Sequence, residues 1–155
     1  MSKQNSFQAI EWTDSGLLLL DQRCLPHEQH YLCLQDAISV AEAIQDMGVG
    51  GAPALGITAA YAVVLSARRH LEHNPDNWQA RVQQDIKKLA AARPTAVNLV
   101  WALQSMQQRL ARGEDEPVAC LLEEARQIHE ADIEANNRMG GYGANLINKG
   151  DSVLT

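Results

Sequence analysis

The spacing of apolar residues changes once along this chain, near residue 35. Before that point apolar residues come in short runs separated by turn-forming residues, a strand-like pattern. Phe7, Ala9 and Glu11 open a first short strand that ends at Trp12. Thr13, Asp14, Ser15 and Gly16 form a turn cluster, and Leu17 to Asp21 is a second strand. Pro26 interrupts the chain, and Tyr31 to Leu34 is a third strand. A small antiparallel sheet near the N-terminus is the expectation.

From Gln35 onward apolar residues recur at three- and four-residue steps, the period of helices. Ala37, Val40, Ala41, Ile44 and Met47 line one face of a first helix. Gly48, Gly50 and Gly51 stop it, because glycine carries the largest backbone entropy cost in a helix. Pro53 restarts a helix, since a missing N–H costs nothing in the first turn. Residues Ala54 to Leu71 are mostly Ala, Leu and Val, so this helix is expected to be buried on most sides. Asn74, Pro75 and Asp76 turn the chain and cap a third helix with Val82, Ile86 and Leu89 on one face. Arg93, Pro94 and Thr95 break the chain, with Thr95 as a cap for the next helix. That fourth helix carries Leu99, Leu103, Met106 and Leu110 and ends near Gly113. Pro117 opens a long fifth helix with Val118, Leu121, Leu122, Ala125 and Ile128 together, kinked or thinned by Gly140, Gly141 and Gly143. Asn148 to Asp151 turns, and Ser152 to Thr155 reads as the start of a strand. The fold class is therefore α+β: a small antiparallel sheet followed by a mostly α helical bundle. A strand so short needs a partner, and the chain offers none after it. The expectation is an N-terminal piece of a longer protein.

Composition narrows the function classes. The 155 residues are 46% hydrophobic and 21% charged, an ordinary globular balance. A net charge of -6 argues against a general nucleic-acid binder, which needs a basic face. No apolar run is long enough for a bilayer and the first residues do not resemble a signal peptide, so a cytoplasmic protein without membrane contact is expected. Cys24, Cys33 and Cys120 form no paired motif and read as reduced thiols buried as small hydrophobes.

The strongest chemical signal is the run Gly50, Gly51, Ala52, Pro53, Ala54, Leu55 and Gly56. Glycines lead straight into a helix start, where free N–H groups and the helix dipole favour an anion. Small side chains at Gly51 and Ala52 let a phosphate approach the backbone. Gly56 and Ala59 permit close packing of a neighbouring element. The run lacks the Lys of a Walker loop and the preceding strand of a dinucleotide fingerprint. A tight helix–helix turn without a ligand fits the same spacing. The second signal is Arg93, held rigidly at a proline corner with a guanidinium suited to phosphate; an arginine merely complementing a helix C-terminus is the alternative. His27, His30, His70 and His73 read as surface residues, with no third metal ligand evident. Asn136, Asn137 and Arg138 fit either a pocket lining or a polar helix face. Trp12, Trp78 and Trp101 read as core or boundary residues.

Taken together, these segments resemble methylthioribose-1-phosphate isomerase. Gln45 to Gly56 is similar to the stretch across that family's Arg-Gly-Ala-Pro motif, and Arg93 to Leu99 with Trp101 and Ala102 to its second motif. Glu134 to Ile147 resembles a third, Gly150 to Thr155 the strand entering the catalytic domain, and Ile10 to Trp12 the opening strand. The resemblance implies an aldose–ketose isomerase that converts 5-methylthioribose 1-phosphate to 5-methylthioribulose 1-phosphate in methionine salvage. It implies no cofactor, no metal and a homodimer when full length. It implies an N-terminal α+β domain over residues 1–150, with residues 151–155 starting a Rossmann-like catalytic domain. The family's catalytic cysteine and aspartate are expected beyond Thr155, and none of Cys24, Cys33 or Cys120 matches the former. Gly51, Ala52 and Arg93 match substrate-binding positions. Gly50 stands where the family carries arginine. Fainter likeness extends to ribose-1,5-bisphosphate isomerase and to the regulatory subunits of the translation-initiation nucleotide exchange factor. The latter make a non-catalytic binding or assembly subunit the alternative.

Overall fold

The computed structural model describes residues 8–154. Phe7 and Thr155, both placed in strands above, lie outside the described residues. Three antiparallel strands come first: β1 (Ile10–Thr13), β2 (Gly16–Leu20) and β3 (Tyr31–Leu34), in the order β1-β2-β3. Ile10 sits opposite Leu19, and Leu20 opposite Tyr31. The first strand starts at Ile10, which is buried while Glu11 is exposed. Gly16 has a φ of 144°, and a Cβ there would run into the Leu34 carbonyl, so the hairpin requires glycine.

Helix α1 (Ala37–Gln45) is capped by Asp36, whose carboxylate accepts from the Ile38 and Ser39 N–H groups at 3.0 and 2.9 Å. It ends before Met47, although the apolar period extends to that residue. Met47 instead takes a left-handed φ of 61°, while the Gly48 N–H returns to the Ala43 carbonyl at 2.9 Å. That closure satisfies the last carbonyls of the helix and turns Met47 outward.

Helix α2 (Ala52–His73) is the central rod, touching α1 and the three later helices. Every residue from Leu55 to Ala67 is buried. Its small side chains explain this: Ala59, Ala60 and Ala62 let neighbours approach from several directions at little cost. Helix α3 (Trp78–Ala92) buries Val82, Ile86 and Leu89, as its spacing requires. The turn after Asn74 becomes a short 3-10 segment, Pro75–Asn77, and gives α3 no side-chain cap. Helix α4 (Val97–Leu110) buries Leu99, Leu103, Met106 and Leu110. Its N-cap is Ala96 and no side chain caps it, so Thr95 does not play that role. The carbonyl of Arg93 takes the Ala96 N–H at 3.0 Å, and this proline turn stops Thr95 one residue short.

Helix α5 (Pro117–Ala144) buries Leu121 and Ala125, with Val118, Leu122 and Ile128 packed at the edge of the core. It runs through Gly140, Gly141 and Gly143 before ending at Ala144. Its second half is exposed, including Met139 and Tyr142. Residues 151–154 follow as irregular backbone without strand pairing. Two burial expectations fail. Among the cysteines, Cys24 and Cys120 are only half-buried and Cys33 is exposed, because β3 is the outer strand and its odd positions face away from the core. Trp101 is 56% exposed on the outer side of α4. No helix among the described residues is long and apolar enough to cross a membrane.

Candidate functional site: the open N-terminus of the central helix

The turn between α1 and α2 does what its glycines suggest. Gly51 is the N-cap of α2 with φ 91°, a backbone state that disfavours side chains. The Gly51 carbonyl takes the Leu55 N–H at 3.1 Å, the first turn of the helix. No side chain caps this end, and Gly51, Ala52 and Pro53 are all exposed. A Cβ on Gly51 would meet nothing within 4 Å. The first N–H groups of α2 therefore face an open corner at the positive end of a 22-residue dipole.

Gly50 is buttressed from the sheet side. The Gln22 side chain donates from Nε2 to the Gly50 carbonyl at 3.1 Å, and the Gln22 N–H donates to the Gly48 carbonyl at 2.9 Å. A Cβ at Gly50 would come 3.0 Å from Gln22 Oε1, the far end of a flexible side chain.

Gly56 explains how a second helix reaches the same corner. A Cβ there would lie 2.8 Å from the Asn98 carbonyl and 3.5 Å from the Ala102 methyl. Only a hydrogen lets the start of α4 lie against α2 at this height. The first turns of both helices thus border one cavity of about 230 Å³ lined by Pro53, Gly56, Asn98, Trp101 and residues of α5. Arg93 precedes α4 at the proline turn, half-buried, and donates from Nη1 to the Met47 sulfur at 2.9 Å. Met47 lies three residues before Gly50, so the structure brings Arg93 to the same loop as Gly50, Gly51 and Ala52. Its contact is with Met47, not with the helix start itself.

A larger cavity of about 620 Å³, lined by Gly51 and Pro53, opens between β1 and α5. Its wall is an aromatic stack not foreseen from the sequence. Trp12 and Tyr61 rings lie 5.5 Å apart and nearly parallel. The Tyr61 hydroxyl is 3.2 Å from His129 Nδ1, and Arg68 sits 5.6 Å above Trp12. Burial pushes the His129 pKa down, so the imidazole is neutral near pH 7. Burial also raises the Tyr61 pKa, keeping its hydroxyl protonated. The signal in the sequence was a tyrosine hydroxyl in the largely apolar middle of a helix, where it demands a partner. Glu11, Arg126, Glu130 and Asp132 also line this cavity, and Asp132 borders the smaller one as well.

The remaining candidates separate. His70 is not a surface residue: its Nε2 lies 2.9 Å from Asp85 Oδ2, and its side chain is only 16% exposed. Asp85 also accepts from Ser66 Oγ at 2.8 Å and from Lys88 Nζ at 3.3 Å. Burial pushes the Asp85 carboxyl up, but the hydrogen bonds from His70, Ser66 and Lys88 outweigh it and hold it below its ordinary value. This network ties α2 to α3. Asn136 donates to the Asp132 carbonyl within α5 and lies on an exposed face. His27, His30 and His73 are exposed.

Known proteins place this architecture. The solved structure of 5-methylthioribose 1-phosphate isomerase from Pyrococcus horikoshii OT3 superposes with a TM-score of 0.86 at 32% identity, covering 92% of this chain and 41% of that one. The translation initiation factor eIF-2B subunit delta from A. fulgidus matches with a TM-score of 0.86 at 36% identity, covering 94% and 43%. In sequence the chain is 49% identical to methylthioribose-1-phosphate isomerase of Methylococcus capsulatus over 99% of its length and 44% of the relative's. The corresponding protein of Azotobacter vinelandii is 54% identical over 92% of this chain and 40% of its own length. The chain thus spans less than half the length of these relatives. The pattern of the Initiation factor 2 subunit family covers residues 48–155, from the glycine turn onward, and with it the chain belongs to that family.

Proposed function

We propose that this chain is the phosphate-holding N-terminal part of a methylthioribose-1-phosphate isomerase. The observation that carries the reading is the exposed, uncapped start of α2 at Gly51 and Ala52, with Arg93 drawn to the same loop. Two relatives of about 50% identity over nearly the whole chain, both named for that activity, support it. In this reading residues 1–150 form the binding domain and residues 151–155 lead into a Rossmann-like catalytic domain. The full protein is a cytoplasmic homodimer.

The chemistry follows from the substrate. An aldose–ketose isomerisation moves hydrogen between C1 and C2, but a phosphate on C1 locks the sugar as a ring. Ring opening must precede or accompany that transfer. Free amides at Gly51 and Ala52 would hold the phosphate oxygens, and Arg93 would add a charge-assisted bond in place of Met47. The acid and base belong to the catalytic domain, so this chain by itself binds without turnover. Gly50 removes one cation from the corner.

A second reading, a binding or assembly subunit without catalysis, draws on the likeness to eIF-2B subunit delta and on that missing cation. Calorimetric titration of the chain with 5-methylthioribose 1-phosphate separates the two. The isomerase reading expects saturable binding, competed by inorganic phosphate and weakened about tenfold or more by Arg93→Ala, the loss of one charge-assisted bond. Absence of binding, or binding indifferent to both, would favour the assembly subunit. Conversion of the sugar phosphate by the pure chain would overturn the assignment of acid and base to the other domain.

A further inference from the structure

We propose that Asp21, Cys24 and His30 form a binding site for a zinc-class divalent cation at the neck of the β2–β3 loop. One ligand atom from each of the three lies within 4.8 Å of the others. The loop's own geometry assembles them. Leu20, the last residue of β2, pairs with Tyr31, the first of β3, so Asp21 and His30 flank the mouth of the loop. The Asp21 N–H donates to the His30 carbonyl at 2.8 Å and closes that mouth. The short 3-10 turn Gln22–Cys24 then folds back, with the Cys24 N–H on the Asp21 carbonyl at 3.2 Å. Three residues spread over ten positions are thereby brought to one point.

The donor set selects the metal. A thiolate, an imidazole and a carboxylate suit zinc and its cobalt analogue, whereas calcium and magnesium require oxygen ligands throughout. Metal–ligand bonds of about 2.0–2.3 Å in a tetrahedron put ligand atoms roughly 3.5 Å apart. Closing from 4.8 Å is therefore a movement of about an ångström, within reach of the half-buried Cys24 and exposed His30. A water takes the fourth position.

Arg23 is the competing partner. It donates to Asp21 from Nε at 2.8 Å and from Nη2 at 2.6 Å. The Arg23 backbone N–H also donates to Oδ1 at 3.1 Å, so three of about four carboxylate lone-pair positions are taken and one on Oδ2 is left for a metal. On binding, Cys24 loses its thiol proton to solvent as the sulfur–metal bond forms. Occupancy should therefore fall as the solution is acidified. The site also bears on the glycine corner: Gln22, between Asp21 and Cys24, is the residue that buttresses Gly48 and Gly50.

Titrating the chain with Co²⁺ in a non-chelating reductant tests this directly. The expected result is one equivalent bound, with a thiolate-to-cobalt charge-transfer band that Zn²⁺ bleaches and Mg²⁺ does not. Cys24→Ser should abolish the band. Cys33→Ser and Cys120→Ser should leave it intact. His30→Ala, at an exposed side chain, should weaken binding at least about tenfold, the lower end of the loss seen even for outer-sphere partners. It carries the test if Cys24→Ser fails to fold. No band in the unsubstituted chain, or one that survives Cys24→Ser or is unmoved by His30→Ala, overturns the proposal.

Discussion

Replacing Gly50 by arginine is the sharpest probe of the corner at the start of α2. Gly50 is not among the residues with positive φ, so its backbone accepts a side chain without strain. The new Cβ would meet Gln22 Oε1 at 3.0 Å, and that amide has room to turn. Turning it puts at risk the Gln22 Nε2 bond to the Gly50 carbonyl, a loss of about 0.5–1.5 kcal/mol. A guanidinium on the bound phosphate contributes about 1.5–3 kcal/mol. If the whole Gln22 loss falls on the bound state, the balance is still about 1.25 kcal/mol at mid-range, or roughly an eightfold tighter Kd. Calorimetry of Gly50→Arg against the unsubstituted chain with 5-methylthioribose 1-phosphate reads this out. Repeating it near 1 M salt, where charges are screened beyond about 3 Å, should remove most of the gain. An unchanged or weaker affinity, in a variant that melts like its parent, would refute the claim that the phosphate sits at this corner.

Two further outcomes follow from the packing. Gly56→Ala gains helix propensity of about 0.8–1 kcal/mol, yet forces a methyl to 2.8 Å from the Asn98 carbonyl, a backbone atom that cannot step aside. Overpacking of this kind costs about 1–3 kcal/mol, so urea unfolding should show net destabilisation, together with weaker ligand binding as α4 is pushed from the corner. Asp85→Asn should cost about 1–3 kcal/mol at neutral pH by weakening the bonds from Ser66, His70 and Lys88. Because the folded-state pKa of Asp85 is depressed, its contribution is full above the ordinary value of 3.8 and is lost as pH falls through the lower folded value. The stability gap between parent and variant, measured by urea unfolding, should therefore shrink in acid; a gap that stays constant would contradict that ionisation.

What was legible beforehand was local. Apolar spacing marks the α1, α3 and α4 core faces, because a helix repeats its contact face every three to four residues whatever it packs on. The three-glycine turn and Pro53 place the start of α2, and the proline corner together with the resemblance singles out Arg93. Local signals failed where the backbone closed differently from the side-chain pattern. Met47 keeps the apolar period but serves as the left-handed residue ending α1, and Thr95 is a good cap displaced by the proline turn before Ala96.

The sequence by itself determined where helices and turns fall, since hydrophobic period, glycine and proline act over a few residues. Tertiary structure alone decided which distant groups meet. Tyr61 finds His129 at a separation of 68 residues, Arg93 reaches Met47 across 46, and Asp85 gathers Ser66 and His70 from another helix. None of these has a period or a spacing of its own. Each depends on how closely two helices approach, and that distance is set at single positions such as Gly56, where a missing methyl lets α4 rest on α2.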